Sequence, residues 1–185
     1  MGISRFAVPL TALALLTACS SGDKPSAASS SSAPSSSKVA EPGKAASLDP
    51  CVLLPADAVS KAISVQGVTS APGPVKDNEA NGGKARSCEY FVNGKAAGAL
   101  AVTRYEGKQG KPAEMVAAIK KAKAGAKDVA GFPDGAVYYV DEQKTATLAA
   151  AKLVNGTPVL INFTGPAKAT PEMLTPLVKA ALAAS

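Results

Sequence analysis

The chain has 185 residues, a formal net charge of +6, and neither histidine nor tryptophan. Histidine is the commonest general base and metal ligand at neutral pH, and tryptophan is the best flat stacking surface for sugars, so their absence argues against hydrolases, metalloenzymes and lectins. We therefore expect no enzyme activity, no cofactor and no metal site, and the dispersed lysines fit either simple solubility or affinity for anionic lipids and wall polymers.

The N-terminus has the order of segments found in an export signal. Arg5 supplies a positive charge, and residues 6–16 form an apolar run that is broken only by Pro9 and Thr11. A helix needs about 20 apolar residues to span a bilayer, and this run is much shorter. The pattern therefore predicts a cleaved signal peptide over residues 1–18.

The apolar run is followed directly by Leu16-Thr17-Ala18-Cys19. This motif resembles the lipobox of bacterial lipoproteins, and the alternative is an ordinary secretory signal with a chance cysteine. The resemblance implies cleavage before Cys19 and attachment of palmitate-type acyl chains to its thiol. Two acyl chains anchor a protein stably, so we expect a lipid-anchored protein at the extracytoplasmic face of the cell membrane.

The next segment, residues 19–46, holds the candidate lipid site and a stretch dominated by serine, alanine and proline. It lacks the periodic apolar residues whose burial offsets the entropy of ordering a chain. We predict a disordered tether that spans roughly 30 Å on average and about 90 Å when stretched. Residues 47–185 are then long enough for a single folded domain.

Two further cysteines, Cys51 and Cys88, fall in this domain. An even pair in an exported domain favours one disulfide, which would close a loop of roughly 37 residues and contribute on the order of 4 kcal/mol. The alternative is a reactive thiol, for which the chain has no histidine base.

Turn and periodicity signals divide the domain into helices and strands. Asn93-Gly94 and Asn155-Gly156 are strong hairpin signals, because both residue types tolerate positive φ. Hairpins produce antiparallel pairing, so the order of elements predicts an α+β fold in which helices cover an antiparallel sheet. In chain order we predict a helix over 55–63, a strand over 65–70, an exposed loop over 71–86, paired strands over 87–92 and 99–105, a helix over 112–126, a strand over 136–140, a hairpin over 145–164 and a helix from 170 onward.

Two of these helices carry more specific expectations. Met115, Ile119, Ala122 and Ala126 recur at helical spacing and predict the buried stripe of the second helix. Pro176 implies either a kink or a restart of the terminal helix.

A lysine cluster is the strongest surface feature. Lys120, Lys123 and Lys127 fall at i, i+3 and i+7, with Lys121 beside them. Like charges on one helix face repel by a few tenths of a kcal/mol per pair, so an anion-contacting patch is one interpretation and a solvated helix face is the other.

Several short motifs coincide behind the lipobox and the serine-rich stretch. They are Asp49-Pro50-Cys51-x-Leu53-Leu54, Cys88-Glu89-Tyr90 and a Val-x-Gly-Phe-x-Asp-x-Ala run over 129–136. Together they resemble an actinobacterial lipoprotein family that shares a domain of unknown function. The resemblance implies a disulfide between Cys51 and Cys88 and a curved antiparallel sheet with two or three helices on one side. It implies no activity.

We therefore expect a non-catalytic binding or interaction module at the cell envelope. Its partner would be a wall polymer, a small ligand or another exported protein, and not nucleic acid. The alternative is a carrier or chaperone for a lipid or other apolar molecule, held in a pocket between sheet and helices. A pocket of several hundred Å³ with apolar lining would favour the carrier, and a solid core with a lysine-rich patch would favour the module.

Overall fold

The computed structural model describes residues 48–185. The predicted signal peptide, the lipid site Cys19 and the tether lie outside the described residues. Within them the chain forms four helices and eight strands. Their bounds are Pro50–Leu53 (α1), Ala56–Ile63 (α2), Val68–Pro72 (β1), Lys76–Asn78 (β2), Gly83–Val92 (β3), Lys95–Tyr105 (β4), Pro112–Ala122 (α3), Lys127–Asp128 (β5), Ala136–Val140 (β6), Thr145–Val154 (β7), Thr157–Pro166 (β8) and Pro171–Ala184 (α4).

The strands form one open antiparallel sheet in the order β1-β3-β4-β8-β7-β6-β5, and β2 also pairs with β3. The two long hairpins, β3-β4 and β7-β8, turn at Asn93-Gly94 and Asn155-Gly156, and all four residues have positive φ. This is the backbone that two-residue hairpin turns require. The prediction of an antiparallel α+β fold is therefore confirmed.

Helices cover both faces of this sheet. On one face α1, α2 and α4 enclose a core that includes Tyr90, Leu148 and Leu177. On the other face α3 packs Val116 against Val137. Successive residues of a strand point to opposite faces, so β7 and β8 supply small and branched side chains to both layers. The expected placement of all helices on one side is wrong for α3, and the four-residue α1 adds a helix to the expected two or three.

The predicted loop over 71–86 contains structure that the composition did not reveal. Strand β2 and the first residues of β3 lie within it and form a small hairpin. The side chain of Asn78 accepts from the backbone N–H of Ala80 at 3.1 Å, and Asn81 accepts from Gly83 at 2.9 Å. Asparagine side chains that bond to the backbone two residues on stabilise tight turns, so a segment that reads as loop folds into paired strands.

Two helical expectations are confirmed only in part. Met115, Ile119 and Ala126 pack against the second core as expected, but α3 ends at Ala122, which is exposed, and its most buried apolar side chain apart from Pro112 is Val116. Helix α4 runs through Pro176, so the alternative of a restart is wrong. Pro176 lies on the exposed side of α4, where the packing of Leu177 and Val178 beside it holds the helix together despite the missing backbone N–H.

The predicted disulfide between Cys51 and Cys88 is present, with Cα atoms 5.1 Å apart, and the reactive-thiol alternative is wrong. It joins α1 to the middle of β3. Asp49 caps α1, because its carboxylate accepts from the backbone N–H of Cys51 at 2.9 Å. The bridge and the cap together fix the point at which the chain enters the fold.

Candidate functional site

A crevice of about 450 Å³ opens between the sheet and the two helices α2 and α4. We call it the apolar crevice. It belongs to the face of the sheet that carries the larger core. Its lining residues are Val59, Ile63, Val65, Tyr90, Val92, Ala96, Ala97, Phe163, Gly165, Pro166, Lys168, Ala169, Met173, Leu174 and Leu177.

The crevice exists because two neighbouring strands diverge. Strands β4 and β8 pair only from Ala99 opposite Thr164 as far as Arg104 opposite Val159. From Lys95 to Gly98 strand β4 pairs only with β3, and Gly165 and Pro166 at the end of β8 pair only with β7. A shift of register after Tyr90 leaves Ala97 without an opposite residue, which is the geometry of a β-bulge. Alanine and glycine residues line the gap between the two diverging strands, and they are too small to fill it.

Aromatic and branched side chains form the inner wall. The rings of Tyr90 and Phe163 stack with centroids 5.7 Å apart. Leu174 and Leu177 close the wall from α4, and both are buried. Met173 lies at the mouth, where 45% of it is exposed. An open space with this lining favours apolar groups, because burying apolar surface releases about 25 cal/mol per Å².

Tyr90 is held in place by its hydroxyl. It is fully buried and donates to the carbonyl oxygen of Leu54 at 2.6 Å, which ties the crevice wall to the segment between α1 and α2. Burial raises the pKa of Tyr90 well above its ordinary value of 10.0, and the negative charge of Asp49 adds to the rise. The phenol therefore remains a neutral donor throughout the physiological pH range.

The variant Tyr90→Phe removes that donor and leaves the buried carbonyl of Leu54 without a partner. We expect the free energy of unfolding to fall by about 1–3 kcal/mol, measured by urea denaturation at pH 7. Because the pKa of Tyr90 is raised on folding, its contribution is complete below pH 10 and is lost as the pH rises above 10, where the unfolded chain releases the proton first. The difference between wild type and variant should therefore shrink above pH 10. Tyr105, whose pKa burial also raises, is present in both proteins and cancels. A difference that is constant from pH 7 to 11 would contradict this assignment.

The structure does not gather the four lysines of the predicted anion patch on one helix face. Helix α3 ends before Lys123, and Lys127 begins β5. Lys120 forms an ion pair with Asp128, and the Nζ atom of Lys123 lies 5.3 Å from the centre of the Tyr139 ring. Lys121 is exposed. The helical spacing that suggested the patch is therefore wrong, and its contact with an anion stays a prediction.

A second cleft, of about 410 Å³, holds charges that sequence reasoning missed. Lys84 pairs with Glu106 at 2.7 Å, and Arg86 pairs with Asp77 at 2.6 Å. The ion pair with Lys84 lowers the pKa of Glu106 below its ordinary value. The pairs join β2, β3 and the residue that follows β4, and the sequence did not reveal them because Asp77 and Lys84 fall in the predicted loop.

No group of three or more potential metal ligands occurs within residues 48–185. No helix in the same range is both long and apolar enough to cross a membrane.

Comparison with known protein families identifies the family of this chain. The family model DUF3558, described as a protein of unknown function, matches residues 14–156, which is more than half of the chain. No curated protein and no solved structure shows significant similarity. The matched segment includes Cys19 and the elements from α1 to β7, and it ends before β8 and α4.

Proposed function

Because the chain belongs to the DUF3558 family, whose description names no function, we propose a role from geometry: it is a membrane-anchored extracytoplasmic lipoprotein that binds an apolar ligand in the apolar crevice. In this role the domain is a non-catalytic binding module that acts as a carrier or chaperone for an apolar ligand at the cell envelope.

The crevice is the observation that carries the proposal. Packed protein interiors contain few voids larger than a water molecule, whereas pockets for small ligands measure about 300–1,000 Å³. A space of about 450 Å³ between sheet and helices falls in the second class. Its lining is almost wholly aliphatic and aromatic, which fits a lipid-like ligand better than a wall polymer.

The proposal that the site is non-catalytic rests on the groups that line it. Tyr90 and Lys168 are the titratable residues among them. The Tyr90 hydroxyl is committed to Leu54, and no serine, threonine, cysteine or carboxylate belongs to the lining. A nucleophile activated by a neighbouring base is therefore lacking at this site in the described part of the chain.

The proposed address rests on the sequence outside the described residues. The lipobox-like motif that ends at Cys19 and the export signal before it are typical of bacterial lipoproteins, and the short motifs of the domain resemble an actinobacterial lipoprotein family. A lipid on Cys19, with residues 19–46 as tether, would hold the binding domain at the extracytoplasmic face of the membrane, next to a source of apolar ligands.

The test of ligand binding uses the mature chain from residue 19 with Cys19→Ser, so that no detergent competes for the crevice. This parent protein, whose crevice residues are all wild type, should bind the uncharged fluorescent probe N-phenyl-1-naphthylamine saturably at one site. Met173→Trp places a bulky indole ring at the mouth, where it obstructs the crevice. It should weaken binding of the probe at least about tenfold, which corresponds to about 1.4 kcal/mol.

The matched control is Leu153→Trp. Leu153 is 51% exposed and lies on β7 outside the crevice, so this variant adds the same ring at a similarly exposed site and should bind the probe as the parent does. A parent protein that does not bind the probe, or a Met173→Trp variant that binds it equally well, would overturn the proposed function.

A further inference from the structure

We propose that the ligand of the apolar crevice is a single-chain amphiphile with an anionic headgroup, whose chain lies in the crevice and whose headgroup contacts Lys168. This inference rests on the proposed function and specifies its ligand.

Charge at the mouth is the first argument. Lys168 is the one charged residue among those that line the crevice, and no carboxylate accompanies it. Within residues 48–185 its ammonium group has neither a hydrogen bond nor an ion pair. Five cations among residues 48–185 pair with carboxylates, including Lys84 with Glu106 and Lys120 with Asp128, and Lys168 is not one of them. A lone cation beside an apolar cavity is complementary to an apolar chain that ends in a negative charge.

The position of Lys168 is fixed by its backbone. It lies in the turn between β8 and α4, where the N–H of Ala169 donates to the carbonyl of Pro166 at 2.8 Å. The hydroxyl of Tyr138 donates to the carbonyl of Ala169 at 2.8 Å. Pro166 and Ala169 themselves line the crevice, so the turn holds the lysine at its mouth while the long side chain remains free to reach a headgroup.

The size of the crevice limits the ligand to one chain. A volume of about 450 Å³ is near the lower end of the range for ligand pockets. Each buried methylene of the ligand contributes about 0.8 kcal/mol, so the chain supplies most of the affinity. The exposed ion pair with Lys168 supplies selectivity for the headgroup, of about two- to fivefold, as expected for a solvent-exposed pair.

The experiment measures displacement of N-phenyl-1-naphthylamine from the mature Cys19→Ser chain by four C12 amphiphiles below their micelle concentrations. They are dodecanoate, dodecyl phosphate, uncharged dodecanol and cationic dodecyltrimethylammonium. We expect the two anions to bind about two- to fivefold more tightly than dodecanol, and the cation to bind most weakly. The carboxylate and phosphate arms distinguish a fatty acid from a lysophospholipid-like ligand.

Reversal of the charge sharpens the test. Lys168→Glu should invert the order, so that dodecyltrimethylammonium binds more tightly than dodecanoate, with a change of about tenfold in their ratio. Lys179→Glu makes the same change in net charge on α4, where Lys179 lies over the Phe132 ring outside the crevice, and it should leave the order unchanged.

The outcomes separate the two proposals. If all four amphiphiles bind equally in the parent and in Lys168→Glu, but Met173→Trp still blocks them, the headgroup inference is wrong and the apolar site stands. The same holds if Lys179→Glu changes the order as strongly as Lys168→Glu, because the effect would then be one of overall charge. If no amphiphile displaces the probe, both proposals fail.

Discussion

The double variant Cys51→Ala/Cys88→Ala is expected to lose about 4 kcal/mol of unfolding free energy, because the unfolded chain regains the freedom of a loop with a sequence separation of 37 residues. Isolated helices as short as the four-residue α1 are unstable in water, so α1 depends on this bridge and on packing. The melting temperature should fall by more than about 10 °C.

The measurement is thermal and urea unfolding with and without a thiol reductant. Reductant should shift the wild type to the midpoint of the double variant and leave the double variant unchanged. This control separates the loss of the bridge from the loss of cysteine packing at the buried Cys88. A double variant within about 1 kcal/mol of the oxidised wild type would show that the bridge does not stabilise the fold.

The second large effect concerns the anchor. With Cys19→Ala the chain lacks the thiol that we propose to be acylated, so labelling with a radioactive or clickable fatty acid should fall to background. The variant should also keep residues 1–18, because cleavage of a lipoprotein signal follows acylation. Each methylene of an acyl chain that enters the bilayer contributes about 0.8 kcal/mol to membrane binding. Without two such chains the mature domain should have no stable lipid anchor.

The matched control is Ser21→Ala, which changes a nearby residue and keeps the thiol, and which should be labelled and cleaved as the wild type is. Intact mass and fatty-acid labelling report both steps. A Cys19→Ala protein that is recovered as a mature, acylated membrane protein would contradict the anchor.

Local signals in the sequence predicted those parts of the fold that depend on a few adjacent residues. The Asn-Gly pairs at 93–94 and 155–156 specify their turns through positive φ, and both turns are present. The strand after the first turn begins at Lys95, earlier than the predicted start at 99, because pairing with β3 also orders the small residues that follow the turn. The disulfide was predictable in the same way, because an even number of cysteines in a domain that follows a predicted export signal favours a bridge whatever the fold.

Features that depend on packing between distant segments could not be read in this way. The side of the sheet on which α3 lies follows from which face of β7 remains uncovered by α4, and no spacing within α3 contains that information. Ala122 was assigned to the core because alanine fits a helical stripe, whereas the side chain of Val116 fills the space above Val137. The helical spacing expected for the four lysines was wrong for a related reason, since it assumed that α3 continues to residue 126.

The candidate site was anticipated as a type of pocket and not as a set of residues. Its walls come from α2, β3, β4, β8 and α4, and its volume depends on where β4 and β8 stop pairing. Ala97 falls between the predicted strands 87–92 and 99–105, and Gly165 falls just beyond the predicted hairpin 145–164. Both line the crevice because β4 and β8 do not pair with each other at these residues. Nothing in the sequence distinguishes Lys168 from the other lysines, because its place at the mouth of the crevice depends on the turn after β8.

The most direct measurement of ligand binding in the apolar crevice is native mass spectrometry of the protein released from its own membrane, with Met173→Trp measured in parallel. The account predicts a non-covalent adduct with the mass of one single-chain anionic amphiphile on the wild type, and its depletion on Met173→Trp. A wild-type protein that carries no such adduct and takes up none when amphiphile is added would contradict the account.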